Sequence, residues 1–244
     1  MENYVLITGA SSGIGRATAA RLSKMYPLIL GGRDKVRLEE TRAMCENADK
    51  HLLWQYDLGG VDGIEGSLSF FLKERQRAVS GFVHSAGIAP LAPLRMTSTE
   101  QMREIMNVNF FSAAEILKLL TSRKINGKSL KNVVIVSSIS SKWGAKGMSL
   151  YSASKGALDS FARSMAYELA PHVRINTVLP GGIATSEAGV MAYGAEMLQD
   201  NAEYLLGEGK GQDIADMIAF LLSEQARWIT GQNFVVDGGK TSHC

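Results

Sequence analysis

Short, almost wholly apolar runs alternate along the chain with longer stretches in which apolar residues recur every three or four positions. The first kind comprises Tyr4 to Thr8, Leu28 to Gly31, Leu52 to Tyr56, Gly81 to His84, Val133 to Ser137, Arg174 to Leu179 and Asn233 to Val236. Runs of this length, rich in Val, Ile and Leu, read as strands. They are apolar throughout, without alternation, so both faces are expected to be covered, which points to a parallel sheet. The second kind comprises Gly13 to Met25, Lys35 to Glu46, Ile64 to Arg77, Thr99 to Ile125, Tyr151 to Ala170 and Gln212 to Ser223. The fourth of these places Met102, Ile105, Met106, Phe110, Ala113, Ile116, Leu117 and Leu120 at the spacing of a buried helix face. Strand, helix and strand repeated with right-handed crossovers predict an α/β fold: a doubly wound parallel sheet of seven strands with helices on both faces. No Pro-, Ser- or charge-rich linker divides the pattern, so residues 1–244 are read as a single domain. In such sheets ligands bind beyond the carboxyl ends of the strands.

Composition narrows the function classes. The 244 residues are 45% hydrophobic and 20% charged, the balance of an ordinary globular domain and not of a disordered or fibrous chain. The net charge is +2 and the basic residues are dispersed, so the dense patch that neutralises a phosphate backbone is absent and nucleic acid is not an expected partner. No apolar run approaches the ~18 residues of a membrane span, and the segment Tyr4-Val5-Leu6-Ile7 has no basic lead, so no membrane association is expected. The two cysteines, Cys45 and Cys244, have no partners at metal-ligand spacing, which predicts no metal site and a reduced, cytoplasmic protein. Glycine stands out: there are 25, about a tenth of the chain where ~7% is usual.

Three of those glycines follow the first strand, in Thr8-Gly9-Ala10-Ser11-Ser12-Gly13-Ile14-Gly15. Gly9 permits a sharp turn off the strand, Gly13 lets backbone amides approach a pyrophosphate, and Gly15 lets the next helix pack closely on the sheet. The helix start then offers free N–H groups and a positive dipole end to an anion, so Ser11, Ser12 and Ile14 are candidates beside the glycines. A strand-to-helix turn with no ligand has the same composition, and the spacing Gly-x3-Gly-x-Gly departs from the general dinucleotide fingerprint. The second strand ends in Gly31-Gly32-Arg33-Asp34, where an acidic residue would select a free ribose hydroxyl and an arginine a 2′-phosphate. Arg33 therefore favours NADP (NADPH) over NAD, although a solvated Arg33 and the neighbouring Asp34 weigh against it. Asp57 and Leu58, after the third strand, are placed near an adenine ring, with Asp57 equally suited to cap a helix.

Further along, Tyr151 and Lys155 stand four apart at the start of a predicted helix and so on one face. Thirteen residues before the tyrosine, the strand Val133 to Val136 runs into Ser137-Ser138, which puts hydroxyls at the carboxyl edge of the sheet. Together these features resemble the short-chain dehydrogenase/reductase family in its shorter, single-domain branch, over essentially the whole chain. The turn matches the family's Thr-Gly-x3-Gly-x-Gly, and Tyr151 with Lys155 matches its Tyr-x3-Lys. Ser138 matches its catalytic serine, and Asn109, in Asn107-Val108-Asn109, its catalytic asparagine. Asn176, Pro180-Gly181 and Ile183-x-Thr185 match the segment on the nicotinamide side, and Asp237-Gly238-Gly239 the terminal strand signature. One departure is visible: the family's Asn-Asn-Ala-Gly after the fourth strand is His84-Ser85-Ala86-Gly87 here. Ser85, Ala86 and Gly87 still fall where the family lines its cofactor, so the change is expected to alter local hydrogen bonding and leave the chemistry untouched.

The resemblance implies a Rossmann fold and interconversion of a ketone and a secondary alcohol. Tyr151 is then general acid and base, Lys155 the cation that stabilises its phenolate and holds the nicotinamide ribose, Ser138 the donor to the substrate oxygen, and Asn109 the residue whose backbone carbonyl anchors a water leading to solvent. It also implies a lid over about residues 186–210, rich in apolar side chains between hinge glycines. Members similar to 3-oxoacyl-ACP reductases meet an acidic carrier protein with basic residues, and Arg123, Lys124, Lys128 and Lys131 gather where the fourth helix ends. The substrate is thus expected to be a small-molecule or acyl-carrier-bound carbonyl, with a sugar or polyol dehydrogenase as the alternative. Members are often homo-oligomers, dimers or tetramers, and Phe110, Phe111, Ile116, Phe161 and Met165 are compatible with subunit packing. A non-catalytic dinucleotide sensor could keep the turn but not all four catalytic positions. An epimerase of the extended branch would need more chain after Asp237-Gly238-Gly239.

Overall fold

The computed structural model describes residues 3–183 and 204–243. Seven strands, β1 (Asn3–Thr8), β2 (Leu28–Gly32), β3 (Leu52–Gln55), β4 (Ala78–His84), β5 (Asn132–Val136), β6 (Arg174–Pro180) and β7 (Asn233–Val236), form one sheet in the order β3-β2-β1-β4-β5-β6-β7. Every pairing is parallel, as the unbroken apolar character of the strands predicts. The order reverses between β1 and β4, and the register aligns Thr8 with Gly31 on one side and with His84 on the other. The strand ends thereby open a crevice at the switch point, the usual ligand position in such sheets.

The helices are α1 (Gly13–Leu22), α2 (Lys35–Met44), α3 (Ile64–Glu74), α4 (Thr99–Met106), α5 (Ser112–Thr121), α6 (Arg123–Asn126), α7 (Ser149–Leu169) and α8 (Gly211–Leu222). One core joins Leu6, Phe82, Val133 and Ile175 of the sheet to Leu68 of α3, Ile116 and Leu120 of α5 and Leu158 of α7. The other joins Ile7, Leu30, Val134 and Val178 to Leu22 of α1, Leu38 of α2 and Ile218 of α8. The sheet is therefore buried on both faces, at about 25 cal/mol for each square ångström of apolar surface covered. No helix among the described residues is long and apolar enough to cross a membrane.

The helix expected over Thr99 to Ile125 is divided. A π turn over Asn107–Phe111 joins α4 to α5, with the Ser112 N–H reaching back five residues to the Asn107 carbonyl. The chain then leaves helical geometry at Ser122 before the single turn of α6. The π turn adds a residue without breaking the apolar face, so hydrophobic periodicity carries no sign of it; such turns recur at functional sites. The residues expected to be compatible with subunit packing differ in exposure. Ile116 is fully buried in the core, and Phe110, Phe161 and Met165 pack against the same cluster, with Phe110 and Phe161 edge to face at 5.7 Å. Of that group Phe111 is the one classed as exposed.

Candidate active site

A cavity of about 850 Å3 lies along the carboxyl ends of the strands, at the upper part of the usual range for small-molecule sites. It runs from Arg33 and Arg37 at one end to Ser138, Tyr151 and Lys155 at the other. The turn from Gly9 to Gly15 forms part of its wall. Gly9 has φ +68°, and a Cβ on it would lie 2.8 Å from the Ala86 backbone; one on Gly15 would meet the Gly9 carbonyl. Both positions thus exclude side chains, and α1 starts close against β1 and β4. Ser12, at the N-cap of α1, makes no side-chain capping bond, so the first-turn N–H groups, which no helix satisfies internally, are left for a ligand. That donor set is suited to a pyrophosphate, which fits a dinucleotide at this edge.

At the β2 end, Arg33 is exposed, and Asp34 caps α2 by accepting from the Arg37 N–H at 3.1 Å. The carboxylate that weighed against an arginine-read phosphate is engaged by its own helix. Arg37, in the first turn of α2 and on the same cavity, is a residue that sequence reasoning missed: Arg33 lies before the cap of that helix, so no helical spacing links the two. Asp57 does not cap a helix: its Oδ1 accepts from the Gly59 N–H at 3.0 Å. It lines the cavity with Leu58, and Val108 from the π turn lines it too.

The chemical end is built from buried side chains. Lys155 is 3% exposed, its Nζ donates to the Val136 carbonyl at 2.9 Å, and it stands 5.7 Å from the centroid of the Tyr151 ring. Burial pushes its pKa down to about 8, against the pull of the Asp159 carboxylate. Ser138 begins the 3-10 turn Ile139–Ser141, its Oγ accepting from the Ser140 N–H at 3.1 Å. Asn109 lies behind the cavity wall. Its amide accepts from the Ile88 N–H at 2.8 Å and donates to the Ile88 carbonyl at 3.0 Å and to Ser154 Oγ at 2.9 Å. Asn109 therefore pins the loop after β4 to α7.

His84 reaches the same group. Its Nε2 lies 3.2 Å from the Asn109 backbone carbonyl and its Nδ1 3.0 Å from Thr8 Oγ1. A carbonyl can only accept, so Nε2 carries the hydrogen, and Nδ1 of the neutral ring accepts from the Thr8 hydroxyl. Burial, reinforced by Lys155, pushes the His84 pKa down to about 3, which keeps the ring neutral. The departure from Asn-Asn-Ala-Gly thus comes closer to the chemistry than its place in the sequence indicated: it engages the carbonyl expected to hold a water.

Ser85, Ala86, Gly87, Pro180, Gly181 and Ile183 line the cavity as expected, whereas Thr185 and residues 186–203 of the expected lid lie outside the described residues. Asn176 is buried away from the cavity, where its side chain donates to the Ile229 carbonyl and accepts from the Gln232 N–H. Tyr204, near the end of the expected lid, also lines the cavity and accepts from the Gly182 N–H at 2.7 Å. Ile88, Trp143 and Met148 give the wall beside Tyr151 an apolar surface. These come from loops and a helix start, where no periodicity marks them. The basic residues Arg123, Lys124, Lys128 and Lys131 sit just before β5, whose far end carries Ser137 and Ser138. They therefore occupy the amino edge of the sheet, opposite the cavity.

A family model described as enoyl-(acyl carrier protein) reductase matches residues 9–241. An uncharacterized oxidoreductase of Bacillus subtilis (strain 168) is 32% identical over 100% of both chains. An NADP-dependent (R)-specific alcohol dehydrogenase of Lentilactobacillus kefiri is 29% identical over 97% of this chain and 96% of its own. The solved structure of 4-hydroxyisoleucine dehydrogenase complexed with NADH superposes with a TM-score of 0.84 at 28% identity, covering 98% of this chain and 99% of that one. The chain belongs to the short-chain dehydrogenase/reductase family. It is an NAD(P)-dependent oxidoreductase of the class acting on alcohol and carbonyl groups.

Proposed function

We propose that this protein uses NADP(H) to interconvert a ketone and a secondary alcohol, on a 3-oxoacyl substrate or one of similar apolar character, with Tyr151 as general acid and base. The observation that carries this reading is one cavity with Arg33 and Arg37 at one end and Ser138, Tyr151 and Lys155 at the other, beside the apolar wall of Ile88, Trp143 and Met148. The residues that would hold the cofactor are Gly9, Ser11 to Gly15, Arg33 with Arg37, Asp57, Leu58, Ser85 to Gly87, Pro180, Gly181, Ile183 and Thr185. When bound, the nicotinamide supplies the hydride that the carbonyl carbon accepts.

The chain supplies the proton. A phenol with a pKa of about 10 gives up its proton poorly at neutral pH, and the Lys155 ammonium one helical turn away stabilises the phenolate that remains. Ser138 Oγ donates to the substrate oxygen as charge gathers on it. Asn109 orders the approach to Lys155, and its backbone carbonyl, to which His84 donates, is the group that the family resemblance gives to a water that restores the proton. Exposed Arg33 and Arg37 suit a 2′-phosphate, and the NADP dependence of the Lentilactobacillus relative supports that preference. The description of the matching family model supports an acyl thioester substrate. Arg123 to Lys131, at the opposite edge, give no support to a carrier protein docking there. The protein is read as one domain acting in the cytoplasm, with 186–210 as a lid, and as a homodimer or homotetramer, for which exposed Phe111, Tyr167 and Trp228 offer apolar surface.

The test is NADPH oxidation with an acetoacetyl thioester, an unbranched apolar ketone and a ketose. The thioester or the apolar ketone is expected to give the higher kcat/KM. A preference for the ketose would replace this reading with the polyol one.

A further inference from the structure

Helix α7 carries a second buried charge one turn beyond Lys155. Asp159 is 2% exposed, and its position four residues on sets it on the same helix face. Its Oδ2 accepts from Ser141 Oγ at 2.5 Å and lies 3.8 Å from Lys142 Nζ. Its Oδ1 is buried with no hydrogen-bond partner among the described residues. A buried carboxylate oxygen without a donor is costly, and the hydrogen bond to Ser141 could be accepted as well by a neutral amide. Lys142 balances that charge from a side chain open to solvent, where screening weakens the pair, so the buried charge calls for a further reason.

Ser141 closes the 3-10 turn that Ser138 opens, and its N–H donates to the Ser138 carbonyl at 3.0 Å. Asp159 thus ties the turn bearing Ser138 to the helix bearing Tyr151 and Lys155. We propose that Asp159 is a positioning residue for this reaction, which clamps the Ser138 turn onto α7 and sets a buried negative charge on the helix face that carries Tyr151 and Lys155. This rests on the reading of Tyr151 and Lys155 given above.

The charges around the pair support it. Burial drives Lys155 toward its neutral form and the Asp159 carboxylate opposes that. From β4 the pair is faced by His84, neutral through burial. From the turn after β5 comes Lys142, whose side chain is partly solvated, and from α4 comes Glu104 on the wall of the same cavity. Tyr151 and Lys155 share α7 with Asp159, and among these groups Asp159 is the buried carboxylate.

The sign follows from treating Tyr151 and Lys155 as one coupled acid. Carbonyl reduction needs the pair protonated, so the rate falls as pH rises through its apparent pKa. Removing a nearby negative charge lets the proton leave at lower pH. Asp159→Asn keeps the shape and an acceptor for Ser141, and is expected to move the alkaline limb of kcat to lower pH by about half a unit or more. Ser141→Ala loosens the clamp and keeps the charge, and is expected to lower kcat severalfold while leaving the limb in place. Thermal melts of both variants report folding. A limb that stays put in Asp159→Asn, or a loss of rate equal at every pH, overturns the proposal. If Asp159→Asn does not fold, Asp159→Ser reads the same limb; failure of both to fold assigns Asp159 to structure alone and also overturns it. Tyr151→Phe separates the two readings. Residual turnover there removes the tyrosine reading itself, whereas an inactive Tyr151→Phe with an unmoved Asp159→Asn limb removes Asp159 alone.

Discussion

Around Gly9 to Gly15 the cavity wall is backbone, shaped by a left-handed turn and by close contacts that admit no side chain, and the neighbouring charges of Arg33 and Arg37 are exposed. Around Tyr151 and Lys155 the wall is side chains drawn from β4, the π turn, the end of β5 and α7, and its Lys155, His84 and Asp159 are buried. The first end can recognise a ligand by shape and by N–H groups that are already paid for by helix geometry, with charges that water screens. The second depends on which buried groups carry protons, because desolvation there shifts pKa values by whole units. Recognition and chemistry thus respond to different perturbations.

The largest expected effect should fall on the chemical end alone. Tyr151→Phe is predicted to lower kcat by about a thousandfold or more, within the range of general acid–base catalysis, while NADPH affinity by fluorescence titration stays within about twofold. A matching loss of NADPH binding would break the distinction between the two ends. Next comes acid. His84 is neutral when folded down to a pKa of about 3, against its ordinary value of 6.5 when unfolded. Between those values the unfolded chain binds a proton that the native one does not, so stability present above pH 6.5 is lost as pH falls. Urea unfolding should show a loss of about 2 kcal/mol from pH 6.5 to about pH 4.5 from this residue, and His84→Asn should flatten the slope by that amount. The remaining slope includes His51, lowered in the same direction by burial. An unchanged slope in His84→Asn would detach the acid response from the chemical end. The smallest effect belongs to the exposed end: Arg33→Ala and Arg37→Ala are each predicted to raise KM for NADPH about tenfold and leave KM for NADH and kcat nearly unchanged. High salt should shrink that difference, and equal wild-type kinetics with the two cofactors would remove the phosphate reading.

Much of this is legible in the amino-acid sequence. The strands announced themselves because a parallel sheet covered on both faces needs unbroken apolar runs, and the glycine turn because steric exclusion at Gly9 and Gly15 leaves a fixed spacing. Other features left no such trace. The π turn preserves the apolar face of its helix, and Ile88, Trp143, Met148 and Tyr204 meet at the cavity from segments without periodicity. Ile116 fits a helix face equally well whether that face meets a partner or the core, and Asn176 matches a family position while bracing β6 through Ile229 and Gln232. The roles of His84 and Asp159 rest on contacts with Thr8, Asn109 and Ser141 across long stretches of chain.

By itself the sequence determined the sheet, the glycine turn from Gly9 to Gly15 and the spacing of Tyr151 and Lys155, because each obeys a local rule: strand burial, backbone sterics or the helical repeat. Tertiary structure alone decided which polar groups are buried together, and therefore which are neutral and which charged. Desolvation and hydrogen bonding depend on neighbours in space, and no local rule supplies those.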